Sequence, residues 1–329
     1  MNDCSDRAEL TVRYFAPDDA AAWRSFLSAS ANGTLFHDLD FLAYHPPGRF
    51  DFRHLLVERA DRLEAIVPGA LRADGFFSSP VGASVGGPVV KKDLRAIATI
   101  ELIEALRRHA RQEGWRGLEF TLSPPVYAEV PNQLIEFALH REGFQLIHRA
   151  LPLILTLSVD GPRRYRHLFS QSRRSYVRAN LRKGVIAREH GIEGAPAFLD
   201  LFLETYARLG AVPTHSPSEI ENLLQRKPEN VRLWLAFFEG TPIAGVLMLI
   251  LNRRVCNAFY ICDRSSYRDQ HGVAVLLAIA IDALADRGFQ YLDLGPSASS
   301  DHVNEGVLFL KETLGGRGFC RDRWRWTAA

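Results

Sequence analysis

The sequence predicts an α/β protein made of two similar units in tandem. A strand–turn–strand pattern at Leu55–Ala70 recurs at Leu233–Val246, with Ala60 equivalent to Glu239. A helical pattern that ends at Gly114 and leads into an apolar strand recurs with its end at Gly288. These two independent pairings have nearly the same offset along the chain. They indicate an internal duplication, because chance matches would scatter.

Length and composition agree with this organisation. The chain has 329 residues, of which 47% are hydrophobic and 24% charged. That length suits about two domains of roughly 150 residues each, and the composition is that of an ordinary globular protein. We therefore predict one domain at residues 1–152 and a second at 153–329, each a twisted mixed sheet flanked by helices.

The elements follow from the spacing of apolar residues, since strands repeat every two residues and helices every 3.6. Pro17 and the acids behind it suit the first turn of a helix. The first half is predicted to contain a strand near 10–14, that helix, a hairpin at 53–72, a helix at about 93–113, a strand at 117–122 and a short helix near 131–142. The second is predicted to contain a basic helix over 163–183, helices near 196–209 and 217–227, a hairpin at 231–250, a strand near 254–262 and a long helix at 272–287.

Charge and hydropathy argue against several classes of protein. The formal charge of +2 does not by itself indicate a nucleic-acid surface. No apolar run has the roughly 18–20 residues of a membrane helix, and the amino terminus lacks a signal-peptide pattern, so we expect a cytoplasmic protein. The four cysteines form no C-x-x-C pair and are expected to be reduced thiols, and the histidines lack metal-site spacing, so we expect no metal.

The segment before Gly315-Gly316 is the most informative for function. It contains Phe309 and Lys311, and Lys311 is one of only five lysines among 40 basic residues. A lysine in a chain that otherwise uses arginine suggests a need for a compact, rotatable ammonium, although the alternative is an ordinary exposed helix lysine. Together with the strand end at Asp293–Gly295, this segment resembles the carboxyl-terminal end of the Fem-type aminoacyl transferases of the GNAT superfamily.

The resemblance implies a tandem GNAT fold and an acyltransferase that acts on amines. Lys311 would stabilise the oxyanion that develops at the acyl carbonyl. Phe309, Asp293 and Tyr260 would lie near the substrate, and the segment around His215 is similar to a Thr/Ser-His segment of the family. The alternative for His215 is a place beside a helix cap.

A glycine-rich segment in the first half contains a second candidate site. Gly82–Gly86 matches the G-x-S-x-G pattern of serine hydrolases, but Pro88 stops a helix from starting at Ser84, so we reject that class. Similar segments occur in Fem-like proteins, which implies that Ser84, Gly86 and Gly87 contact substrate. Their backbone amides would hold an anionic or peptide group, while the alternative is a simple turn.

A basic segment resembles another part of the Fem pattern. Arg174, Arg178 and Gly184 match it, whereas Ala179 replaces a usual lysine. Arg174 and Arg178 are four residues apart, so they project from one helix face and can bind a phosphate or carboxylate. The alternatives are a solvated basic face and a contact with a tRNA backbone.

The acyl donor stays open at this stage. No tightly bound cofactor is expected; the co-substrate is aminoacyl-tRNA or acyl-CoA. Asp269 occupies the first position of the turn that binds the CoA pyrophosphate in GNAT enzymes, and its charge opposes that role, so aminoacyl-tRNA is favoured. The acceptor is expected to be an anionic small molecule or cell-envelope precursor, as in peptidoglycan synthesis. The alternatives are an acyl-CoA-dependent N-acetyltransferase and a degenerate tandem GNAT protein that only binds; the sequence does not predict an oligomeric state.

Overall fold

The computed structural model describes residues 8–46, 48–158 and 161–328. Its contacts divide the chain into two compact units. The first holds the described residues up to Arg149 together with those from Arg321 onward, and the second holds Ala150–Cys320.

Strands and helices occur in both units. The strands are β1 Leu10–Tyr14, β2 Leu55–Arg59, β3 Arg62–Val67, β4 Ala70–Leu71, β5 Phe76–Ser79, β6 Val89–Val90, β7 Gly117–Thr121, β8 Gln145–Thr156, β9 Ile186–His190, β10 Val231–Phe238, β11 Thr241–Ile250, β12 Val255–Asp263, β13 Tyr291–Ser299, β14 Arg317–Gly318 and β15 Arg321–Thr327. The α-helices are α1 Ala20–Ala29, α2 Leu39–Leu42, α3 Ala96–Gln112, α4 Leu134–Arg141, α5 Tyr165–Leu168, α6 Gln171–Arg182, α7 Ala195–Leu209, α8 Pro217–Arg226, α9 Gly272–Asp286 and α10 Glu305–Thr313. Short 3₁₀ helices lie at Pro17–Asp19, Leu35–His37, Pro125–Tyr127, Ile192–Gly194 and Ser265–Gln270.

The first unit contains two sheets. One has the strand order β1-β2-β3-β6, and the other runs β4-β5-β7-β15. β2 and β3 form the predicted hairpin, whose turn residues Ala60 and Asp61 have positive φ. Helix α3 connects β5 to β7, which pair in parallel, as a helical crossover between two parallel strands requires. The core of the first unit includes Leu55, Val57, Phe77, Ile103, Leu106, Leu118 and Phe120.

The second unit contains a sheet with the order β8-β13-β12-β11-β10-β9, and β14 pairs with β8. β10 and β11 form the second predicted hairpin, and α9 connects β12 to the parallel strand β13. Both units therefore repeat the order hairpin, strand, helix, parallel strand. The core of the second unit includes Leu155, Val246, Met248, Val275, Leu276, Ile281 and Leu292.

A broken helix and the place of the last strand are among the differences from the sequence predictions. The basic helix predicted over 163–183 is broken into α5 and α6, because the chain turns at Phe169 and the Ser170 side chain caps α6 by accepting from the Arg173 amide. The last strand, β15, which the predicted 153–329 domain would include, pairs instead with β7 of the first unit. The sequence predictions include no strand at 321–327, and a local pattern does not indicate which sheet edge a strand joins.

Candidate active site

The candidate site of the second unit is built around Lys311 on α10. Asn304 caps this helix by accepting a hydrogen bond from the Val307 amide, as N-cap asparagines do. The Lys311 side chain is buried, with only 8% of the residue exposed. Its Nζ donates to the carbonyl oxygens of Gly295 and Pro296 at 3.0 and 3.2 Å. The predicted lysine is thus a buried group directed at the end of β13, not a solvated surface residue.

Burial changes the proton affinity of this lysine. It lowers the pKa of Lys311 to about 8, because the charged form loses solvation, while the negative charge of Asp293 partly opposes the shift. An ammonium has three N–H bonds. Two of them reach backbone carbonyls, and within the described part of the chain Lys311 makes no further hydrogen bond. The third N–H is therefore available to a ligand.

The end of β13 is shaped by Asp293 and Gly295. Asp293 is 3% exposed, and its Oδ1 accepts a hydrogen bond from the Gly295 amide at 2.6 Å. Gly295 has φ +75°, a conformation that glycine adopts without steric cost. The Asn257 side chain of β12 donates to the Asp293 carbonyl at 3.3 Å. These contacts place a carboxylate and two carbonyl oxygens beside the lysine.

The pairing of β12 with β13 is short. The parallel register covers Val255–Asn257 against Tyr291–Asp293, although both strands continue beyond it through described residues. β12 also carries an irregularity opposite Leu247 and Met248 of β11. The two central strands of this unit thus stop pairing beside Asp293 and Lys311.

The double glycine behind Lys311 allows close backbone packing. A Cβ on Gly315 would lie 2.6 Å from the Leu168 carbonyl oxygen, and one on Gly316 would lie 2.9 Å from both the Leu153 Cβ and the Lys311 carbonyl oxygen. The Gly316 amide donates to that same Lys311 carbonyl. The glycines therefore fix the end of α10 against neighbouring backbone rather than leaving room for a ligand.

Arg173 is a residue of this region that the sequence analysis missed. Its Nε donates to the Thr313 hydroxyl at 3.0 Å, and the Ser170 amide donates to the Thr313 carbonyl, so the start of α6 is tied to the end of α10. The segment pattern matched its neighbour Arg174, and sequence alone does not tell which arginine faces α10.

The two predicted arginines lie on the outer side of α6. Arg174 donates to the Arg166 carbonyl at 2.8 Å, and Arg178 is exposed with a long contact of 3.4 Å to the Ser175 hydroxyl. No contact joins either residue to Lys311 in the described structure. Their binding of an anion remains a prediction.

His215 and Tyr260 form a second pair in this unit. The His215 Nδ1 and the Tyr260 hydroxyl are 2.6 Å apart, and both residues are buried. Phe202, Tyr206 and Phe259 surround the tyrosine ring. The structure therefore brings together two residues that were predicted separately from distant parts of the sequence.

The other predicted residues lie in different surroundings. Phe309 is 64% exposed on α10. In the first unit, Ser84 lines a pocket, whereas the amides of Gly86 and Gly87 already donate to the Thr121 carbonyl and the Ser79 hydroxyl. These two amides are thus not open to an anion. No helix follows Ser84, which agrees with the rejection of a hydrolase site.

Comparison with known proteins gives a domain match and a fold. Residues 163–302 match the family described as an acetyltransferase (GNAT) domain. The second unit therefore contains a segment that is similar to a GNAT domain. The crystal structure of FemX matches with a TM-score of 0.72 at 13% identity, covering 96% of this chain and 97% of that one. A tandem GNAT protein from the clavulanic acid biosynthesis pathway matches with a TM-score of 0.55 at 12% identity, covering 98% and 99%.

A third structure is the C-terminal domain of a putative lysylphosphatidylglycerol synthetase from Agrobacterium fabrum. Its TM-score is 0.58 at 10% identity, with 94% of this chain and 91% of that chain covered. No curated protein sequence matches this chain. At these identities the structural likeness is one of fold. It confirms the predicted Fem-type tandem GNAT fold, and the domain match confirms the predicted acyltransferase class.

Two properties of the described residues bear on cofactors and membranes. No group of three or more His, Cys, Asp or Glu side chains among them is placed to hold a metal ion. None of the helices in the described ranges combines the length and the apolar character needed to span a bilayer.

Proposed function

We propose that the protein is an N-acyltransferase of the Fem-like type, which transfers an aminoacyl or acyl group from an activated ester or thioester to an amine. The observation that carries this proposal is Lys311, a buried ammonium with one N–H unused at the end of β13. A buried lysine whose pKa is displaced from its ordinary value is typical of functional sites.

The reaction would proceed by addition and elimination. The nitrogen of the acceptor amine attacks the acyl carbonyl carbon, and the C–O double bond becomes a C–O⁻ single bond. The free N–H of Lys311 donates to this oxyanion. Collapse of the intermediate re-forms the carbonyl, releases the donor's alcohol or thiol and leaves an amide, with the amine proton passing to the leaving group or to solvent. One preorganised donor of this kind lowers the barrier by about 3 kcal/mol.

The protonation state of Lys311 sets the pH range of the reaction. Only the ammonium form carries the positive charge that stabilises an oxyanion. Because burial lowers the pKa of this group to about 8, the ammonium is the main form at neutral pH and is lost as the pH rises through about 8. Asp293 raises the pKa of Lys311 and so favours the active form.

Aminoacyl-tRNA is the donor that we favour. Arg174, Arg178 and Arg182 lie four residues apart along α6 and form one stripe on the helix. Arg178 and Arg182 are exposed and Arg174 is half-buried. An extended row of guanidinium groups suits a phosphate backbone better than a compact anion. A cytoplasmic location would follow from this donor.

Acyl-CoA is the second candidate donor, supported by the GNAT domain match itself. Helix α9 begins at Gly272, and the amides in its first turn can bind an anion. Against this role, the ring of His271 before the helix is stacked on Tyr176 with centroids 4.0 Å apart, and Asp269 lies two residues further back. Both features disfavour a pyrophosphate at this position.

A cell-envelope precursor is the acceptor that we favour. FemX and the lysylphosphatidylglycerol synthetase share the fold, which supports an acceptor of this class. Phe309, His215 and Tyr260 would contact substrates. Phe309 offers an exposed aromatic ring near Lys311 in sequence, and the His215–Tyr260 pair would position a polar group at the open part of β12.

The deciding experiment is Lys311→Met, which keeps most of the apolar stem and removes the charge. We expect turnover to fall roughly a hundredfold or more, measured as transfer of labelled acyl groups to a panel of amine acceptors. Aminoacyl-tRNA and acetyl-CoA serve as donors in parallel. Lys311→Arg should restore activity only partly, because a planar fork does not replace a compact ammonium.

Lys227→Met is the matched control. Lys227 lies in the same unit and is equally buried, at 8% exposed, but it follows α8 and its ammonium is near the carboxylate of Glu229. This variant should keep native turnover. Full activity of Lys311→Met would overturn the proposed mechanism, and absence of transfer from both donors in the native protein would favour the binding-protein alternative.

A further inference from the structure

A pocket in the first unit has the features of a ligand site. It lies between the end of β5, the β7 strand and the loop after β5, and its volume is about 580 Å³. Binding sites for small molecules commonly enclose roughly 300–1,000 Å³. Guanidinium groups and hydroxyls dominate its polar wall: Arg49, Arg72, Arg323, Ser78, Ser84 and Thr121.

A buried carboxylate anchors this wall. Glu119 is 3% exposed, and three arginines surround it. Arg72 donates to its Oε1 at 3.1 Å, and Arg325 donates to its Oε2 through two nitrogens at 3.0 and 2.6 Å. The Nε of Arg323 lies 3.8 Å from the same carboxylate. One carboxylate therefore orders three guanidinium groups.

The cluster has more positive than negative charge. The three guanidinium groups at Glu119 face two carboxylates, because Arg72 also pairs with Asp74. One positive charge is therefore left over within the cluster. Arg49 and Asp51 also line this wall, and Asp51 pairs with Arg53.

Arg323 has terminal N–H groups that are placed to donate hydrogen bonds to a ligand. Its Nε donates to the Thr121 hydroxyl at 3.2 Å and is the atom nearest to Glu119. In the described ranges, no hydrogen bond involves its two terminal Nη groups. A guanidinium that is held through Nε and free at both Nη groups is preorganised for a bidentate contact with a phosphate or carboxylate.

The pocket occupies a defined place in the duplicated fold. Glu119 of β7 pairs with Ser78 of β5, whereas Asp293 of β13 pairs with Asn257 of β12. The sequence distance from Glu119 to Asp293 equals the distance between the two helix ends of the repeat. The sequence distance from Ser78 to Asn257 equals the distance between its two hairpins. The buried acid whose charge acts on Lys311 in the second unit thus corresponds to the buried acid at the centre of the arginine cluster in the first.

We propose that the first unit binds a small molecule through an oxyanion, a phosphate or carboxylate, held by Arg323 and Arg49 above the Glu119 cluster. The hydroxyls of Ser84 and Thr121 supply further hydrogen bonds to polar groups of the same ligand. This site depends on no property of Lys311 and is separate from the proposed acyl transfer.

Titration calorimetry at constant ionic strength tests the proposal, with inorganic phosphate, succinate and neutral glucose as probes. We expect phosphate or succinate to bind and glucose not to bind. Arg323→Gln should weaken binding roughly tenfold, the effect of losing one charged hydrogen-bonding group. Arg62→Gln, which changes an exposed arginine of the same unit outside the pocket, should bind as the native protein does. Tighter binding of phosphate or of succinate identifies which oxyanion the site prefers.

Arg49→Gln gives a second test if Arg323→Gln fails to fold, and unfolding midpoints report on both variants. The Lys311→Met variant should bind the probes normally, so this proposal and the proposed function fail independently. Absence of binding by both anions at millimolar concentration would overturn the pocket as a site. An equal loss of affinity in Arg62→Gln would overturn it as well, since the effect would then reflect general surface charge.

Discussion

The two units place a buried acid at the same point of the repeat and surround it differently. Asp293 lies near one lysine, whereas Glu119 is surrounded by three arginines. A lysine can lose its proton when its surroundings demand it, but an arginine stays charged. The second unit therefore has a single ammonium suited to chemistry, and the first has a fixed positive field suited to binding.

The strand that follows each hairpin turn differs as well. β11 runs without a break from Thr241 to Ile250 and pairs with strands on both sides. Its counterpart in the first unit is interrupted at Pro68 and Gly69, so β3 joins one sheet and β4 the other. A Cβ on Gly69 would lie 2.3 Å from the Phe77 ring, so this crossing point requires glycine. The interruption separates the two sheets beside the proposed pocket.

Replacing each buried acid by its amide should lower the free energy of unfolding by different amounts in the two units, and we expect this to be the largest effect. Glu119→Gln leaves three guanidinium groups close together with no carboxylate. We expect the free energy of unfolding to fall by about 2 kcal/mol, below the roughly 3–5 kcal/mol of a fully buried pair because each arginine is more than one-third exposed. Asp293→Asn should cost less, since Lys311 can release its proton instead of remaining charged. Denaturant unfolding of the two variants measures both values.

Equal losses of stability in the two variants would contradict the comparison. They would mean that Lys311 keeps its charge without Asp293, or that water already screens the Glu119 cluster. Gln and Asn are close in shape to the acids they replace, so packing should change little in either case.

The duplicated fold and the candidate residue Lys311 could be predicted from the sequence. The duplication was visible because its hairpins and crossover helices have local patterns, and Lys311 stood out as a lysine in a chain rich in arginine. The Glu119 cluster was not visible, because its arginines come from the β4–β5 turn and from β15 at the end of the chain. Their meeting depends on the edge that β15 joins, and no local pattern encodes that choice.

The pH dependence of turnover should sharpen the role of Asp293. In the native protein we expect turnover to fall as the pH rises through about 8, the pKa of the buried Lys311 ammonium. Asp293 raises the pKa of Lys311, so Asp293→Asn should move this falling limb to lower pH. A displacement of one pH unit would lower turnover roughly tenfold above the limb. Initial rates of acyl transfer across the pH range measure the shift.

Glu119→Gln is the comparison for this measurement, because Glu119 belongs to the first unit and Lys311 to the second. Its falling limb should keep the native midpoint whatever happens to its stability. An unshifted limb in Asp293→Asn would show that the charge of Asp293 does not set the proton affinity of the lysine, and the proposed pairing would be wrong.

The smallest expected effect concerns Gly295, whose counterpart in the first unit is Thr121, at the offset that relates Asp293 to Glu119. Gly295 has φ +75°, whereas Thr121 is not among the described residues with positive φ. Gly295→Ala should therefore lower the free energy of unfolding by about 1 kcal/mol, the cost of a left-handed conformation for a residue with a Cβ. The new Cβ would lie 3.9 Å from the Lys311 Nζ, an ordinary contact, so the lysine should keep its two carbonyl partners and turnover should change less than threefold, or about 0.6 kcal/mol. Thr121→Ala, measured in parallel, should change stability by less than about 0.5 kcal/mol. A large loss of turnover in Gly295→Ala with unchanged stability would show that the β13 turn directs the ammonium more tightly than these contacts indicate.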